Sequence, residues 1–574
     1  MSELALKLIA ENKTTKAPFL DLGNCGLTFL PEELFECKEW LTRINLGKGY
    51  FDFGENEWIT TNNKGNSNIF NDKELESIHQ LTGLQTLDLG GNQISDISFL
   101  SNLTGLQTLD LRYNQIADIS FLWNLTGLQT LYLSYNHISD ISFLSNLTGL
   151  QTLDLSDNQI SDISFLSNLT GLQTLDLSSN KISDISFLSN LTDLHRLYLT
   201  SNQVSDISFL SNLAGLQTLD LSFNQISYIS SLSNLTGLQT LDLSCNQISD
   251  IRSLSNLAGL QTLNLNFNKI SDITFLSNLT VLDKLELRYN KISDISFLSN
   301  LTGLQTLDLS SNQISYISSL SNLTGLKTLY LSKGKISDIS FLSNLTDLHS
   351  LYLTSNQISD ISFLSNLTNL QTLNLALNRI TKIKGLEKLT KLIYLDLSKN
   401  KIVNLEGLEN IQLLNLQSID LRNNLIQELP EYALNNLKAL RGFLNSPKNT
   451  LVRNKFLKAN ILGEGRIGKT QLLKYFKDPT NYSFVEDEKE THGTNTTIYK
   501  IPKQNLEITL WDFGGQSYHH GFHHLFIRDY DLNIILWSNK NTEKPDYGYW
   551  LATSSNFSKD SPKLLVQNLW ETTI

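Results

Sequence analysis

Residues 150–171 read LQTLDLSDNQISDISFLSNLTG, and residues 172–193 repeat them with three letters changed. From Leu84 onward the chain returns to this pattern every 22 residues. The register is visible in one recurrent position, occupied by Asn92, Asn114, Asn136 and so on to Asn312, then by Gly334, then again by Asn356, Asn378 and Asn400. Within each unit the run LxxLxL alternates as a strand does, so Leu84, Leu87 and Leu89 point the same way. Ile94, Ile97, Leu100 and Leu103 complete the apolar set. A unit this short cannot bury its own apolar face, so successive units must stack into a solenoid.

The period and the LxxLxL signature resemble the leucine-rich repeat family, in the form that places ISDISFL on the convex side. The resemblance implies that the recurrent Asn bonds to backbone in its own and the neighbouring turn. Glycine cannot do so, which predicts a soft point at Gly334. Cruder repeats flank the array. Residues 19–34 (FLDLGNCGLTFLPEEL) and 41–46 (LTRINL) read as an N-terminal cap region, with a helix over residues 2–12 covering the first open edge. Residues 52–75 are polar and break the period, which predicts an insertion loop. LQSIDLRNNLIQELP at 416–430 reads as a last repeat of longer spacing, and residues 431–444 as a capping helix.

Across 574 residues the net charge is −12, which removes the electrostatic basis for binding nucleic acid or an anionic membrane. Cys25, Cys37 and Cys245 are too scattered for a disulfide framework or a metal knuckle. Glu3, Lys7 and Glu11 interrupt the N-terminal apolar residues, unlike a signal peptide, and no run approaches the roughly 20 apolar residues of a membrane span. A cytoplasmic location is expected, and Asn-Leu-Thr at Asn102, Asn124 and Asn146 then reads as a turn rather than a glycosylation site.

Side chains between the inward leucines face outward from the sheet. One column is mostly acidic, running through Asp88, Asp110, Asp154, Asp176, Asp220, Asp242, Asp308 and Asp396, with Tyr132, Tyr198, Tyr330 and Tyr352 interrupting it. Its neighbour carries Tyr113, Tyr135, Phe223, Phe267 and Tyr289, with Arg112 and Arg288 beside it. Tyr and Arg dominate interface energetics, so these aromatic residues are the candidate contacts for a protein or peptide on the concave face. The alternative is that Asp, Ser and Thr keep the sheet soluble while the aromatics shield backbone. TDLHRLYLTSNQVSDIS from 192 and TDLHSLYLTSNQISDIS from 346 are nearly identical, so block copying accounts for part of the pattern.

Chemistry of a different kind starts at ANILGEGRIGKTQLL, residues 459–473. A strand-like run, Phe456 to Leu462, meets the Gly-rich turn Gly463, Glu464, Gly465, Arg466, Ile467, Gly468, then Lys469, Thr470, Gln471 and a helical pattern. A phosphate needs backbone N–H donors in a tight turn, a helix N-terminus and a cation, and this stretch supplies all three. WDFGGQ at 511–516 follows after about 40 residues. There Asp512 would hold the water shell of Mg²⁺, Gly515 would donate to a γ-phosphate and Gln516 would orient the attacking water. The last two apolar runs, LEITLWDF and LNIILW, read as strands. Between array and turn, Lys438, Arg441, Lys448, Arg453, Lys455 and Lys458 come without an acid, either as a solvated linker or as a docking segment for the acidic array.

This part of the chain resembles the Roc GTPase domain of Roco proteins, through GEGRIGKT, THG at 491–493, WDFGGQ, His520, His523, Trp537, Trp550 and DSPKLLVQN at 560–568. The resemblance implies that Lys469 binds β- and γ-phosphates, that Thr470 and Thr491 join Asp512 around Mg²⁺, and that Gln516 serves the hydrolytic water. Thr494 and Thr496 are alternatives for the switch threonine. Zn²⁺ on HHGFHH, residues 519–524, is the competing reading of the histidines. Ser517 stands where the family usually has an acid, and Asn568, Leu569, Trp570 and Glu571 replace the family's guanine-reading NKxD, leaving Asn568 and Glu571 to meet the base. No kinase or COR-like segment is expected before Ile574, and the missing last unit would leave an apolar strand edge open.

The expected fold is α/β: an N-terminal cap, divergent repeats and insertion at 1–83, the 22-residue-repeat solenoid at 84–430, a capping helix and basic linker at 431–453, and a partial, Ras-like doubly wound P-loop domain at 454–574. The expected function is a GTP- and GDP-binding Roco-like scaffold with slow Mg²⁺-dependent hydrolysis, with which a dimer is compatible. The alternative is a non-catalytic protein-binding solenoid carrying an inactive GTPase remnant.

Overall fold

A computed structural model describes residues 2–52, 57–406, 415–426, 429, 431–444, 456–462, 469–477, 494–501, 506–513, 532–537 and 563–567. The chain divides into two units, residues 1–444 and 445–574.

In the first unit every repeat contributes one three-residue strand, such as Thr86–Asp88, Thr108–Asp110 and Thr152–Asp154, to an 18-stranded parallel sheet. The strands pair in register, Leu87 with Leu109 and Leu131 with Leu153, so identical side chains stack on identical side chains. On the opposite side each repeat turns through a short 3₁₀ segment, for example Ser142–Asn146. The two layers close over Leu and Ile columns that are almost wholly buried, Leu84, Leu87, Leu89, Ile94, Ile97, Leu100 and Leu103 among them. Stacking therefore buries what a single unit exposes, as the period requires.

The recurrent Asn forms the expected ladder. Nδ2 of Asn114 donates to the carbonyls of Leu89 at 3.1 Å and Leu111 at 3.0 Å, while its Oδ1 accepts the Ile94 amide at 3.1 Å. The same three bonds recur at Asn136, and in the last repeat at Asn424. Each interior Leu carbonyl is shared by two ladder residues. At Gly334 the Leu309 carbonyl still accepts from Asn312 at 3.1 Å, and the Leu331 carbonyl from Asn356 at 2.7 Å. What is lost is the acceptor for the Ile314 amide, so the defect is narrower than the sequence suggests.

The residue before the ladder position adopts a left-handed backbone in each regular repeat, with φ from +52° at Asp157 to +59° at Ser355. Tyr113, Tyr135, Phe223, Phe267 and Tyr289 occupy this position. Only Gly91 among these turn residues escapes the Cβ penalty of that conformation.

The helix Glu3–Thr15, capped by Ser2, packs Ala5 and Ile9 into the end of the core. The strands Phe19–Asp21 and Arg43–Asn45 join the same sheet ahead of Thr86–Asp88, so the divergent repeats continue the solenoid. The insertion differs from the expected loop over 52–75. Strands Gly49–Asp52 and Glu57–Thr60 form an antiparallel hairpin. The array resumes at Asn68, whose Oδ1 accepts the Leu27 amide at 2.8 Å and whose Nδ2 donates to Leu22 and Leu46 carbonyls at 2.8 and 2.9 Å. Asn68 is thus a ladder residue, and the extra chain is spliced in immediately before it. Sequence periodicity misses this because the residues either side of the splice are 19 positions out of phase. At the far end the helix Leu437–Leu444 places Leu440 against the core.

The second unit holds a five-stranded sheet in which Phe456–Leu462 is central. It pairs in parallel with Leu506–Phe513 on one side and Leu532–Trp537 on the other, and Lys563–Gln567 extends the latter in parallel. Thr494–Ile501 runs antiparallel along Leu506–Phe513 as an edge strand. That strand escapes the sequence reading because it lies at an edge, with Thr496 and Ile498 exposed, and so carries no continuous apolar run. Ala459, Ile461, Leu510 and Ile534 pack with Leu473 of the helix Lys469–Lys477.

Candidate functional site

In the second unit the strand Phe456–Leu462 ends, residues 463–468 follow, and the helix begins at Lys469. The Gly-rich segment is therefore flanked by the strand and the helix that a phosphate loop needs. Lys469 and Gln471 are buried on the first turn of that helix, with Lys469 only 6% exposed. Asp512 pairs in backbone register with Ile461, one residue before the central strand ends. Thr494, the first residue of the edge strand, pairs with Phe513. The register thus brings the end of the central strand, Asp512 and Thr494 to one end of three adjacent strands. Lys458 places its Nζ 5.0 Å from the Trp511 ring across the central pair, a contact between charge and π face that the sequence does not announce.

Gly463, Glu464, Gly465, Arg466, Ile467, Gly468, Thr491, Gly515, Gln516, Asn568 and Glu571 lie outside the described residues, as do the histidines of 519–524. Thr470 and Asp512 are described in their backbone.

On the parallel sheet of the first unit the acidic column has a structural duty. One oxygen of each acid accepts the amide two residues on: Arg112 to Asp110 at 2.9 Å, Ser156 to Asp154 at 3.0 Å, Ser178 to Asp176 at 2.9 Å and Ser222 to Asp220 at 2.9 Å. This closes the turn at the end of the strand. Asn264 and Asn374 do the same for Asn266 and Ala376, so the turn requires the oxygen and not the charge. The charge has a cost. Burial holds the carboxyls of Asp176, Asp220 and Asp308 above their ordinary range, and neighbouring acids push Asp176 and Asp220 further.

Three aromatic pairs assemble along the face. Tyr113 stacks on Tyr135 with centroids 4.3 Å apart, Phe267 on Tyr289 at 4.5 Å and Tyr330 on Tyr352 at 4.6 Å. Tyr132 sits under Arg112, whose Cζ is 5.0 Å from the ring, and burial pushes its phenol up to about 12. Arg112 forks onto Asp110, with Nη2 2.7 Å from Oδ2. Tyr198 and Phe223 stand apart from the three stacks: Asp176 and Asp220 flank Tyr198 in register, and Phe223 falls between Ser201 and Cys245 along its turn row. The sequence reading omits Lys333, which donates to the Tyr289 hydroxyl at 3.0 Å. That bond, with Arg288 alongside, draws the Tyr289 phenol down to about 8. Lys333 lies two repeats from Tyr289, and only the stacked turns reveal the contact.

Comparison with known proteins fits both units. Residues 458–571 match the Roc family, described as "Ras of Complex, Roc, domain of DAPkinase". Leucine-rich repeats match in successive windows from 82–125 to 368–410. A Runella zeae Roc-COR-CHAT protease is 25% identical over 165 residues, 25% of this chain and 18% of the relative. "Probable serine/threonine-protein kinase pats1" of Dictyostelium discoideum is 27% identical over 131 residues, 19% of this chain and 4% of the relative. The chain therefore spans less than a fifth of the length of either protein. Among solved structures, a Leptospira interrogans LRR protein superposes with a TM-score of 0.59 at 27% identity, covering 65% of this chain and 97% of its own. An internalin (InlF) of Listeria monocytogenes gives 0.51 at 39% identity, covering 56% of this chain and 90% of its own. The chain belongs to the leucine-rich repeat proteins, and its repeats followed by a Roc domain give it a Roco-like architecture.

Proposed function

We propose that the chain is a guanine-nucleotide-binding scaffold whose Roc unit binds GTP and GDP with Mg²⁺, hydrolyses GTP slowly, and acts as a switch for a protein or peptide held on the concave sheet. The observation that carries the reading is the register of the central strands, which sets Asp512 beside Ile461 at the edge where the Gly-rich turn starts and the Lys469 helix follows. Hard oxygen donors suit Mg²⁺, and Thr470, Thr491 and Asp512 would hold it, so that the ion supplies charge neutralisation to the phosphates. Lys469 binds the β- and γ-phosphates, the amides of Gly463 to Gly468 and of Gly515 orient the triphosphate, and Gln516 positions a water. Asn568 and Glu571 meet the base. The three aromatic stacks provide preorganised contact area for the partner, and a cytoplasmic setting suits a nucleotide switch.

A non-catalytic scaffold is favoured instead by one feature, the replacement of NKxD by Asn568-Leu569-Trp570-Glu571. Titrating labelled GTP, GDP and ATP against the full chain, with and without Mg²⁺, separates the two. Selective Mg²⁺-dependent guanine binding that is lost in Lys469→Ala supports the switch. No nucleotide binding supports the scaffold.

A further inference from the structure

Among the described repeats, arginine stands two residues after the strand at Arg112, Arg288 and Arg422. Two of the three close on their own acid: Arg112 Nη2 lies 2.7 Å from Asp110 Oδ2, and Arg422 Nη2 2.5 Å from Asp420 Oδ2. Arg288 does not. The acid before it is Glu286, which Lys284 holds at 2.7 Å and the Asn266 side-chain amide at 3.0 Å. The Arg288 guanidinium lies instead over the exposed rings of Phe267 and Tyr289, with Cζ 6.0 and 5.1 Å from their centroids.

A second cation converges on the same stack. Lys333, two repeats further on, reaches past the small Ser311 to the Tyr289 hydroxyl, its Nζ 5.4 Å from the ring centroid. Both cations are exposed, and among the described residues neither makes an ion pair. A guanidinium carries five N–H donors and an ammonium three, more than these contacts use. Along the outward column of the sheet Asp242 stands two strands before Glu286 and Asp308 one strand after it. Arg288 and Lys333 are thus a small positive island in an acidic surface. Flat aromatic pads bound it, the Phe267 and Tyr289 stack on one side and, from the repeat of Lys333 onward, the Tyr330 and Tyr352 stack on the other.

We propose that this island binds a peptide segment through a single acidic side chain flanked by apolar or aromatic residues. The inference rests on the reading that the sheet holds a protein or peptide, and it names the chemistry of the part that is gripped. The carboxylate accepts from Arg288 and Lys333 in charge-assisted hydrogen bonds, and the flanking residues lie on the two stacks. A run of acids is a poor ligand, because Asp242 and Asp308 repel charge on either side of the island. Lys333, Ser311 and Arg288 act directly on Tyr289 and draw its phenol down to about 8, while Lys284, Glu286 and Asp308 stand on the adjoining strands. A bound carboxylate offsets the two cations and returns the phenol toward its ordinary 10.0. Conversely, the phenolate formed above about 8 competes for Lys333 and repels the ligand, so binding weakens as pH rises through that value.

The test selects from a display library of random peptides on the full chain, then titrates synthetic copies of the selected sequences. Expected is enrichment of peptides with one Asp or Glu between apolar or aromatic residues. Their affinity should fall at least about tenfold when that acid becomes its amide, and by a similar factor in Arg288→Gln and in Lys333→Gln. Both substituted side chains are exposed, so neither change reaches the core. Lys181→Gln, an equal loss of charge in a distant repeat, should leave affinity unchanged, and polyglutamate should not compete. With peptide bound, ultraviolet difference absorbance should show the early-titrating tyrosine moving to higher pH, which attraction by the overall charge does not produce. Peptides that bind without an acid, binding that survives both substitutions, or competition by polyglutamate overturns the proposal and leaves the sheet as a peptide surface of other chemistry. Selection of no peptide at all overturns it together with the reading of the sheet as a binding face.

Discussion

Asn68 and Leu27 are 41 residues apart, yet Oδ1 of the first accepts the amide of the second at 2.8 Å, the bond that ties each turn of the array to the next. The same oxygen accepts the Cys25 amide at 3.1 Å. Asn68→Ala strands two buried amides and should cost about 2–4 kcal/mol. Because repeats are stabilised by their neighbours, the loss should appear as early melting of the first turns while later repeats hold. Limited proteolysis cutting within residues 1–70 before the array unfolds is the expected result, and a single unshifted transition would refute the ladder role.

Within the regular repeats of the described residues, the Ile314 amide gives up its ladder acceptor because Gly334 stands at the Asn position. Its hydrogen exchange should be faster than that of Ile292 and Ile336, which donate to Asn312 at 3.0 Å and Asn356 at 3.1 Å. Gly334→Asn should slow it, with a gain of about 1 kcal/mol. That gain is limited by the closeness of Asn356 Oδ1, 2.9 Å from where the new Cβ would stand. Uniform exchange across the three amides would show that Gly334 is no defect.

Asp176 binds its proton more tightly folded than unfolded, because burial disfavours the charge. A carboxyl with a raised folded pKa opposes stability once ionised, so its cost is absent at low pH and grows as pH rises through the folded value. Asp176→Asn keeps the oxygen that the Ser178 amide needs. The variant should melt higher than the parent at neutral pH and alike at acid pH. A variant that is less stable at neutral pH would mean that the charge itself is needed.

Tyr289 should ionise at about 8 against an ordinary 10.0. The lowered value means that the folded state releases this proton first, so folding gains relative stability between those two pH values. Ultraviolet difference absorbance should show one tyrosine titrating ahead of the rest. Lys333→Met should return it to the bulk, since the Lys333 hydrogen bond is the largest cause of the shift.

Much of the first unit is legible in the sequence because stacking repeats one set of contacts. Leu87, Leu109 and Leu131 are placed by periodicity alone, and the ladder follows once the family is seen. The acidic column shows where such reading stops: periodicity places Asp154 on the outward face of the sheet but does not say that one oxygen closes its own turn. Contacts between repeats, such as Lys333 with Tyr289 and Ser134 with Asp154, depend on what stands two turns or one strand away. In the second unit the strand before the Gly-rich segment and the helix from Lys469 are legible because each has a local signal. Thr494–Ile501 is not, since an edge strand with exposed Thr496 need not be apolar.

The left-handed turn residue before each ladder Asn is occupied by Tyr, Asp, Ser, Phe, Cys, Lys and Leu, with φ confined to between +52° and +59° from Tyr113 through Lys399. A position that accepts so many side chains without moving its backbone separates what the array displays from what keeps it folded. Mutation there can rewrite the displayed surface one letter at a time, and each change is inherited intact when a block of repeats is copied. The row therefore carries the part of the surface that can vary while the Leu columns and the Asn ladder beneath it stay fixed.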